Sequence, residues 1–373
     1  MLSFSLFPTM FCIKRKMVLN IPETLSDILH EIGEIAGENA YLVGGSVRDL
    51  LLERKNIDID IVVEGDAISV AKQLQKRWKG TCQTHSQFGT ATVTPANPDR
   101  PKVDFVTARS ETYKKSGTLP KVEPGTLTED LHRRDFSINA LAMCLDNNAF
   151  GTIIDATEGI EDLKNGIIRV LHTNSYDDDP TRIFRSYRYA GRYNFRIADA
   201  DIPLIEKAIP LISNLSGERI RNEIDRIFLE DNAQQIIQDL AEVGVYEAIY
   251  PEWKIYPSLS CDLNIVKQAI AWAAEHIEDI SIQEEQLYWM TMFGLGNKQI
   301  IPTYYIEAIC FRLLLPHQLS RVTNVSQQLR NVEISNNDIR SIFDKVDIKL
   351  SENAIYEFQN GKWCIVDIDN KVT

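Results

Sequence analysis

Apolar positions in the first part of the chain follow two different periods. In TLSDILHEIGEIA, Leu25, Ile28, Leu29, Ile32 and Ile35 recur every three or four residues, which predicts an amphipathic helix after Pro22. AYLV then predicts a short strand leading into a Gly44-Gly45 turn and a second helix around VRDLLLE. IDIDIVV alternates before running apolar, the pattern of a strand entering a buried sheet. A helix over AISVAKQLQKRW and strands around GTATVT and KVDFVTA follow, so roughly the first 150 residues predict a small head of mixed sheet and helices. Residues 110–130 are rich in Gly, Pro, Ser and Thr and read as a mobile loop. Beyond about residue 155 the period turns helical, in PTRIFRSYRYAGRYNF, GERIRNEIDRIFL, NAQQIIQDLAEVGVYEAI and around 263–277 and 304–315. The pattern predicts an α+β chain: a mixed-sheet head followed by an all-α remainder.

Composition narrows this picture without naming a function. The 373 residues are 44% hydrophobic and 25% charged, which excludes collagen-like and wholly disordered chains. No apolar run approaches the ~18 residues of a membrane-spanning helix. Six cysteines are scattered with no C-x-x-C pair, and six histidines show no H-E-x-x-H. That argues against a disulfide framework or a zinc site and for a reducing compartment, the cytoplasm. Residues 1–17 are apolar and then basic, the wrong order for a secretory signal, so the ordered chain is expected to begin near Leu19, with Met17 an alternative start. Formal charge is −13, and residues 201–373 carry 15 basic against 26 acidic side chains, a net of −11. Such a balance does not advertise a nucleic-acid binder.

Candidate chemistry lies in the head. Asp58 and Asp60 stand two apart on one strand, so both carboxylates point to the same face. Adjacent carboxylates repel unless a cation lies between them, and hard oxygen donors suit Mg²⁺. Asp104, on another predicted strand, offers a third. Together such groups can activate a hydroxyl and stabilise departing pyrophosphate; the plainer reading of D-x-D alone is a solvated strand end. Between strand and helix, Gly44 and Gly45 let the backbone approach a phosphate and Arg48 adds a forked donor, followed by Asp49.

The order G-G-x-x-R-D followed ten residues later by D-x-D resembles motif A of the nucleotidyltransferase superfamily in its class II branch, the tRNA CCA-adding enzymes and bacterial poly(A) polymerases. LHRRDFSINALA (131–142) resembles motif B of that branch, with Ser137 where Thr is usual. IIDATEGIEDLKNGIIRVL, DDPTRIFRSYRYAGRYNF and SGERIRNEIDRIF resemble motifs C, D and E. The resemblance implies a catalytic head over 18–151, a helical neck carrying the nucleotide template over 152–230, and a tRNA-binding helical body and tail over 231–373. It implies an Mg²⁺-dependent enzyme that adds C or A to the 3′ end of tRNA from CTP and ATP, with Asp58 and Asp60 as metal ligands and Asp104 as catalytic support.

In motif B, Arg134 suits a triphosphate, while Asp135 and Asn139 suit either a ribose or the orienting of arginines. In motif D, Arg182, Arg185, Arg188, Arg192 and Arg196 step by three or four along one helix face. The resemblance gives Asp179 and Arg182 to a protein template for the base, since an Asp accepts from an exocyclic amine and an Arg donates to ring acceptors. Arg185 and Arg188 would then face phosphates or template. Asp178 stands where the family often has Glu. Motif C reads as a structural hinge. Full CCA, CC-only or A-only addition, poly(A) synthesis, and an inactive RNA-binding module all stay open; nothing calls for a membrane or an obligate protein partner.

Overall fold

The computed structural model describes residues 19, 21–54, 58–112, 115–118, 120–253, 263, 266, 270–271, 284–293 and 304–316, and the backbone of 13–16, 294–295, 303, 354–359 and 362–367. It divides into two compact units, residues 1–214 and 215–373.

The first unit opens with β1 (Ile13–Lys16), α1 (Glu23–Ala36), β2 (Ala40–Val43), α2 (Gly45–Leu51) and β3 (Ile59–Val63). There follow α3 (Ala67–Trp78), β4 (Thr81–His85), β5 (Thr90–Thr94), β6 (Val103–Thr107), β7 (Arg109–Thr112), β8 (Lys121–Pro124) and α4 (Leu127–His132). After a single 3₁₀ turn at Ser137–Asn139 come β9 (Leu141–Cys144) and β10 (Thr152–Asp155). Eight strands form one sheet in the order β1-β10-β9-β2-β3-β6-β5-β4, with β3 and β6 parallel and every other neighbouring pair antiparallel.

Side-chain alternation assigns the two faces of this sheet. Leu42, Ile59, Ile61, Val63, Val93 and Phe105 face the apolar stripes of α1 and α3, making the larger core with Leu29, Ile32 and Leu74. On the opposite face, Val43, Val62, Ala142 and Ile154 meet Leu127 and Leu131 of the single short helix α4. Asp60 shares the face of Val62 by strand parity, so it lies on the more thinly covered side. Glu64 fixes α4 by accepting from the Leu127 amide at 2.6 Å, and Thr126 and Glu129 form a capping box at its start.

Motif C begins at β10. Asp155 accepts from the amides of Thr157, Gly159 and Ile160 at 3.1, 2.9 and 3.0 Å, starting α5 (Gly159–Asn165). β11 (Ile167–Ile168), α6 (Ser175–Asp178), α7 (Thr181–Tyr193), β12 (Arg196–Ile197) and α8 (Ile202–Ala208) complete this unit. Asp162 ties the segment back to motif B: it accepts from the Ser137 hydroxyl at 2.6 Å and from both Nε and Nη2 of Arg169.

The second unit contains α9 (Gly217–Phe228), α10 (Ala233–Glu242) and α11 (Val245–Ile249), with further helices at Glu284–Met290 and Thr303–Arg312. Gly244, at φ +80°, separates α10 from α11 where the sequence read one continuous helix. Phe228, Tyr246, Trp253, Trp289 and Phe293 form its aromatic core, and Asp225 accepts from the Trp289 indole at 2.7 Å.

Four readings of the sequence change. Residues 109–124 contain an antiparallel hairpin, β7 with β8, in register from Arg109↔Pro124 to Thr112↔Lys121. Its four-residue strands are too short to show a period, and Ser116, Gly117, Thr118 and Pro120 of the loop-like composition belong to their connection. Ile13–Lys16 pairs with β10, ahead of the expected ordered start near Leu19. The helical remainder also includes the two-residue parallel pair β11–β12 and a hairpin of Ala354–Gln359 with Lys362–Asp367. Finally, β4 has alternating polar positions and escaped notice. Met17, Tyr113 and most of the expected helix at 263–277 lie outside the described residues.

Gly159 packs so closely on motif B that a Cβ would drive into the Ser137 carbonyl oxygen. Gly159→Ala is expected to cost about 1–3 kcal/mol of stability. A urea midpoint equal to that of the unaltered protein would show that this approach is not tight.

Candidate active site

Parallel pairing of β3 and β6 sets Asp60 directly beside Asp104, and Asp58 immediately precedes β3 on the same side. Asp60 is half-buried, and its amide donates to the Ser46 hydroxyl at 3.1 Å, joining β3 to α2. Burial pushes its carboxyl up, reinforced by Asp104 and Asp58 and opposed by Arg134 and Arg48. Asp104 is exposed, and one of its oxygens accepts from the hydroxyl of Thr92, its register partner on β5. Among the described residues no three Asp, Glu, His or Cys side chains are drawn together tightly enough to hold a metal. The donor set nonetheless suits a hard cation: a carboxylate raised by burial and by its acidic neighbours is relieved by positive charge beside it.

Gly44 adopts φ +63°, open to glycine at little cost, and a Cβ there would collide with Arg134 Nη1. Arg134 thus lies against the Gly-Gly turn. Its Nε and Nη2 donate to Asp130 at 3.3 and 2.9 Å. The same fully buried Asp130 receives Arg133, which reaches Glu111 of the hairpin at 2.8 Å. Both arginines hold the Asp130 carboxyl low against the upward pull of burial.

Arg48, expected to donate to phosphate, is bonded within the fold. It is buried, its Nε and Nη2 donate to Asp49 at 3.0 and 2.9 Å, and Nη1 donates to the Asn139 side chain. Arg48 and Asp49 are thus bonded to each other and, through Asn139, form a strut between α2 and motif B. For Asp135 and Asn139 the structure favours the orienting alternative. Asn139 Nδ2 donates to Asp135 Oδ1 at 2.9 Å, and Arg185 of α7 donates to Asp135 Oδ2 through Nε at 2.9 Å and through Nη2. A continuous relay results: Asp49, Arg48, Asn139, Asp135, Arg185.

Motif D presents α7 to this relay. Asp179 accepts from the amide and hydroxyl of Thr181 at 3.1 and 2.7 Å, fixing the first turn. Arg182 is buried and donates to the Ser175 hydroxyl and, at 2.9 Å, to the Arg133 carbonyl. The structure therefore holds the expected template pair at one turn, with Arg182 bonded within the fold. Arg188 is buried with its guanidinium 4.8 Å from the Tyr189 ring centre. Sequence reasoning missed Asp130, Tyr189 and Tyr193. The i, i+4 spacing of Asp130 to Arg134, and the place of Tyr189 amid the arginine ladder, are the signals that point to two of them.

Burial alone would raise Asp135, but Arg185 and Asn139 outweigh it and hold the carboxyl well below the usual carboxylate range. A depressed folded pKa supplies stability above the unfolded value of about 3.9, and that stability is lost as pH falls below it. Asp135→Asn is expected to lose about 3–5 kcal/mol near neutral pH by stranding Arg185. Its deficit should shrink between pH 6 and pH 3 in urea titrations; a constant deficit would contradict the assignment.

Residues 40–169 match the family described as Poly A polymerase head domain, and 194–256 match one described as Probable RNA and SrmB- binding site of polymerase A. An A-adding tRNA nucleotidyltransferase of Geobacter sulfurreducens is 38% identical over 299 residues, 79% of this chain and 33% of that protein. A CCA-adding enzyme of Limosilactobacillus reuteri is 31% identical over 357 residues, 90% of this chain and 85% of that protein. The chain spans 31% to 53% of the length of three A-adding relatives. Among solved structures, a CCA-adding enzyme in apo form aligns at TM-score 0.72 and 29% identity, covering 87% of this chain and 74% of the other. A Thermotoga maritima CCA-adding enzyme complexed with tRNA aligns at 0.65 and 29%, covering 86% and 72%. With the motifs, the sheet order and a relative matched over most of its length, the chain belongs to the family of tRNA nucleotidyltransferases and poly(A) polymerases.

Proposed function

We propose that the protein is an Mg²⁺-dependent tRNA nucleotidyltransferase that adds C, A or both to the 3′ end of tRNA from CTP and ATP without a nucleic-acid template. The observation that carries this reading is the register of Asp60 beside Asp104, with Asp58 preceding, next to a Gly-Gly turn packed on Arg134. CCA-adding structures with tRNA and with CTP are among the structural neighbours, which supports the substrate classes. No described helix is long and apolar enough to cross a membrane, and the thiols of Cys82, Cys144 and Cys310 are free, which fits a cytoplasmic setting.

In the proposed reaction the primer's 3′-hydroxyl oxygen forms a bond to the α-phosphorus, and the bond from that phosphorus to the pyrophosphate oxygen breaks. Asp58 and Asp60 would hold Mg²⁺, which would supply charge neutralisation and lower the pKa of the hydroxyl. Asp104 supports the pair and receives the hydroxyl proton. Arg134 and the Gly44-Gly45 backbone meet the triphosphate, and Asp130 keeps Arg134 extended toward them. Asp179 and Arg182 read the base edge, with Arg182 exchanging its Ser175 contact for the base. Arg185 and Arg188 supply the flanking positive charge. The second unit carries the RNA through backbone and shape contacts.

Among the specialities, A-addition gains support from the A-adding relatives, at 37% to 38% identity, against 31% to 32% for the CCA-adding ones. Transcripts ending before CCA, after C and after CC, supplied with CTP and ATP separately and together, separate the readings. Extension of the last alone marks an A-adding enzyme, and completion of all three a full CCA enzyme. Long A tails on unrelated RNA mark a poly(A) polymerase, and no extension at all refutes the proposal. Asp60→Ala should reduce transfer at least about a thousandfold while circular dichroism is unchanged; retained transfer would remove Asp60 from the metal site.

A further inference from the structure

Four guanidiniums surround one aromatic ring. The central carbons of Arg188, Arg48, Arg185 and Arg192 lie 4.8, 5.4, 5.6 and 5.9 Å from the centre of Tyr189. Three come from α7 itself: Arg185 at i−4 and Arg192 at i+3 share the helix face of Tyr189, and Arg188 is its neighbour in sequence. The fourth arrives from α2, carried in by the relay through Asn139. The ring is buried, Phe136 of motif B meets it edge-on at 5.7 Å, and Tyr193 stacks beside it at 6.0 Å. Its hydroxyl accepts from Arg185 Nη2 at 3.4 Å.

Like charges at this spacing repel, and an aliphatic side chain in their midst would do nothing to gather them. An aromatic face, negative at its centre, attracts each one within about 6 Å. We propose that Tyr189 is a positioning residue for nucleotide selection: its π-face holds Arg185 and Arg188 of α7 in register with Arg48 of α2, so that the arginines meet the nucleotide in one fixed arrangement. The role is electrostatic as well as steric. A residue of similar volume without a π-face fills the space, yet removes the attraction that draws the guanidiniums to one centre in addition to their carboxylate and amide partners. The proposal rests on the nucleotidyltransferase reading and deepens it.

The test compares the unaltered protein with Tyr189→Leu, Tyr189→Met and Tyr189→Phe. For each, CTP and ATP affinity is measured by calorimetry, and transfer to tRNA transcripts by steady-state kinetics with the four nucleoside triphosphates. The aliphatic variants should weaken CTP and ATP binding about tenfold, raise KM with less change in kcat, and raise the share of U and G incorporated. Tyr189→Phe keeps the π-face and loses only the hydroxyl, so it should recover affinity to within about threefold of the unaltered protein. A change in base discrimination is what a packing defect alone would not produce. Unchanged affinity and selectivity in folded Leu and Met variants would overturn the proposal, as would a Phe variant as impaired as they are. If the unaltered protein binds nucleotides but extends no RNA, the transfer reading fails while the affinities still decide the role of the ring. If it binds neither nucleotide, both fail.

Discussion

A buried carboxylate, Asp135, joins the sheet that carries the acidic groups to the helix that carries the arginines. Its two oxygens are divided between Asn139 and the Phe136 amide on one side and Arg185 on the other. Through Asn139 the connection continues to Arg48 and Asp49 on α2, whose first turn is the Gly-Gly loop beside β3. Ion pairs of this kind contribute little when both charges are removed together, but leaving one partner alone in the interior is costly. The relay therefore enforces geometry: α2, motif B and α7 are held in mutual register by bonds that cannot be lost singly without penalty.

That register places two unlike charge environments in one unit. On the sheet, Asp60 is raised by its own burial and by Asp104 and Asp58, a condition a cation relieves. Around α7, four guanidiniums gather at one ring, two of them paired with Asp49 and Asp135. A metal–nucleoside triphosphate, the proposed substrate, carries charges of both signs. The −11 balance of residues 201–373 fits less simply with an RNA-holding half. Contacts to RNA through shape and through local basic stripes are compatible with it, since binding follows local potential more than total charge.

Much of the fold was legible because its periodicities are clean. The stripe of TLSDILHEIGEIA became α1, AISVAKQLQKRW became α3 residue for residue, and the alternation at Ile59–Val63 became a strand with Asp60 on the lightly covered face. Motif A likewise fell on the expected strand, turn and helix, and motifs D and E on the expected helices. What stayed hidden depends on tertiary pairing. The strands of the 109–124 hairpin are four residues long and have no buried face to imprint a pattern. The inward turn of Arg48 could not be read from its motif, because its partner Asn139 lies 91 residues away. Asp135 and Arg185, separated by 50, pose the same difficulty. A charged residue in a glycine turn reads as a ligand for something external until the fold supplies an internal partner.

The most direct test of the relay is a double-mutant cycle on folding free energy between Arg48→Met and Arg185→Met, which sit on different helices and are joined through Asn139, Asp135 and the shared Tyr189 ring. The relay predicts a coupling of about 1–3 kcal/mol between them. Effects that add to within about 0.5 kcal/mol would show that the two ends act independently and would contradict it.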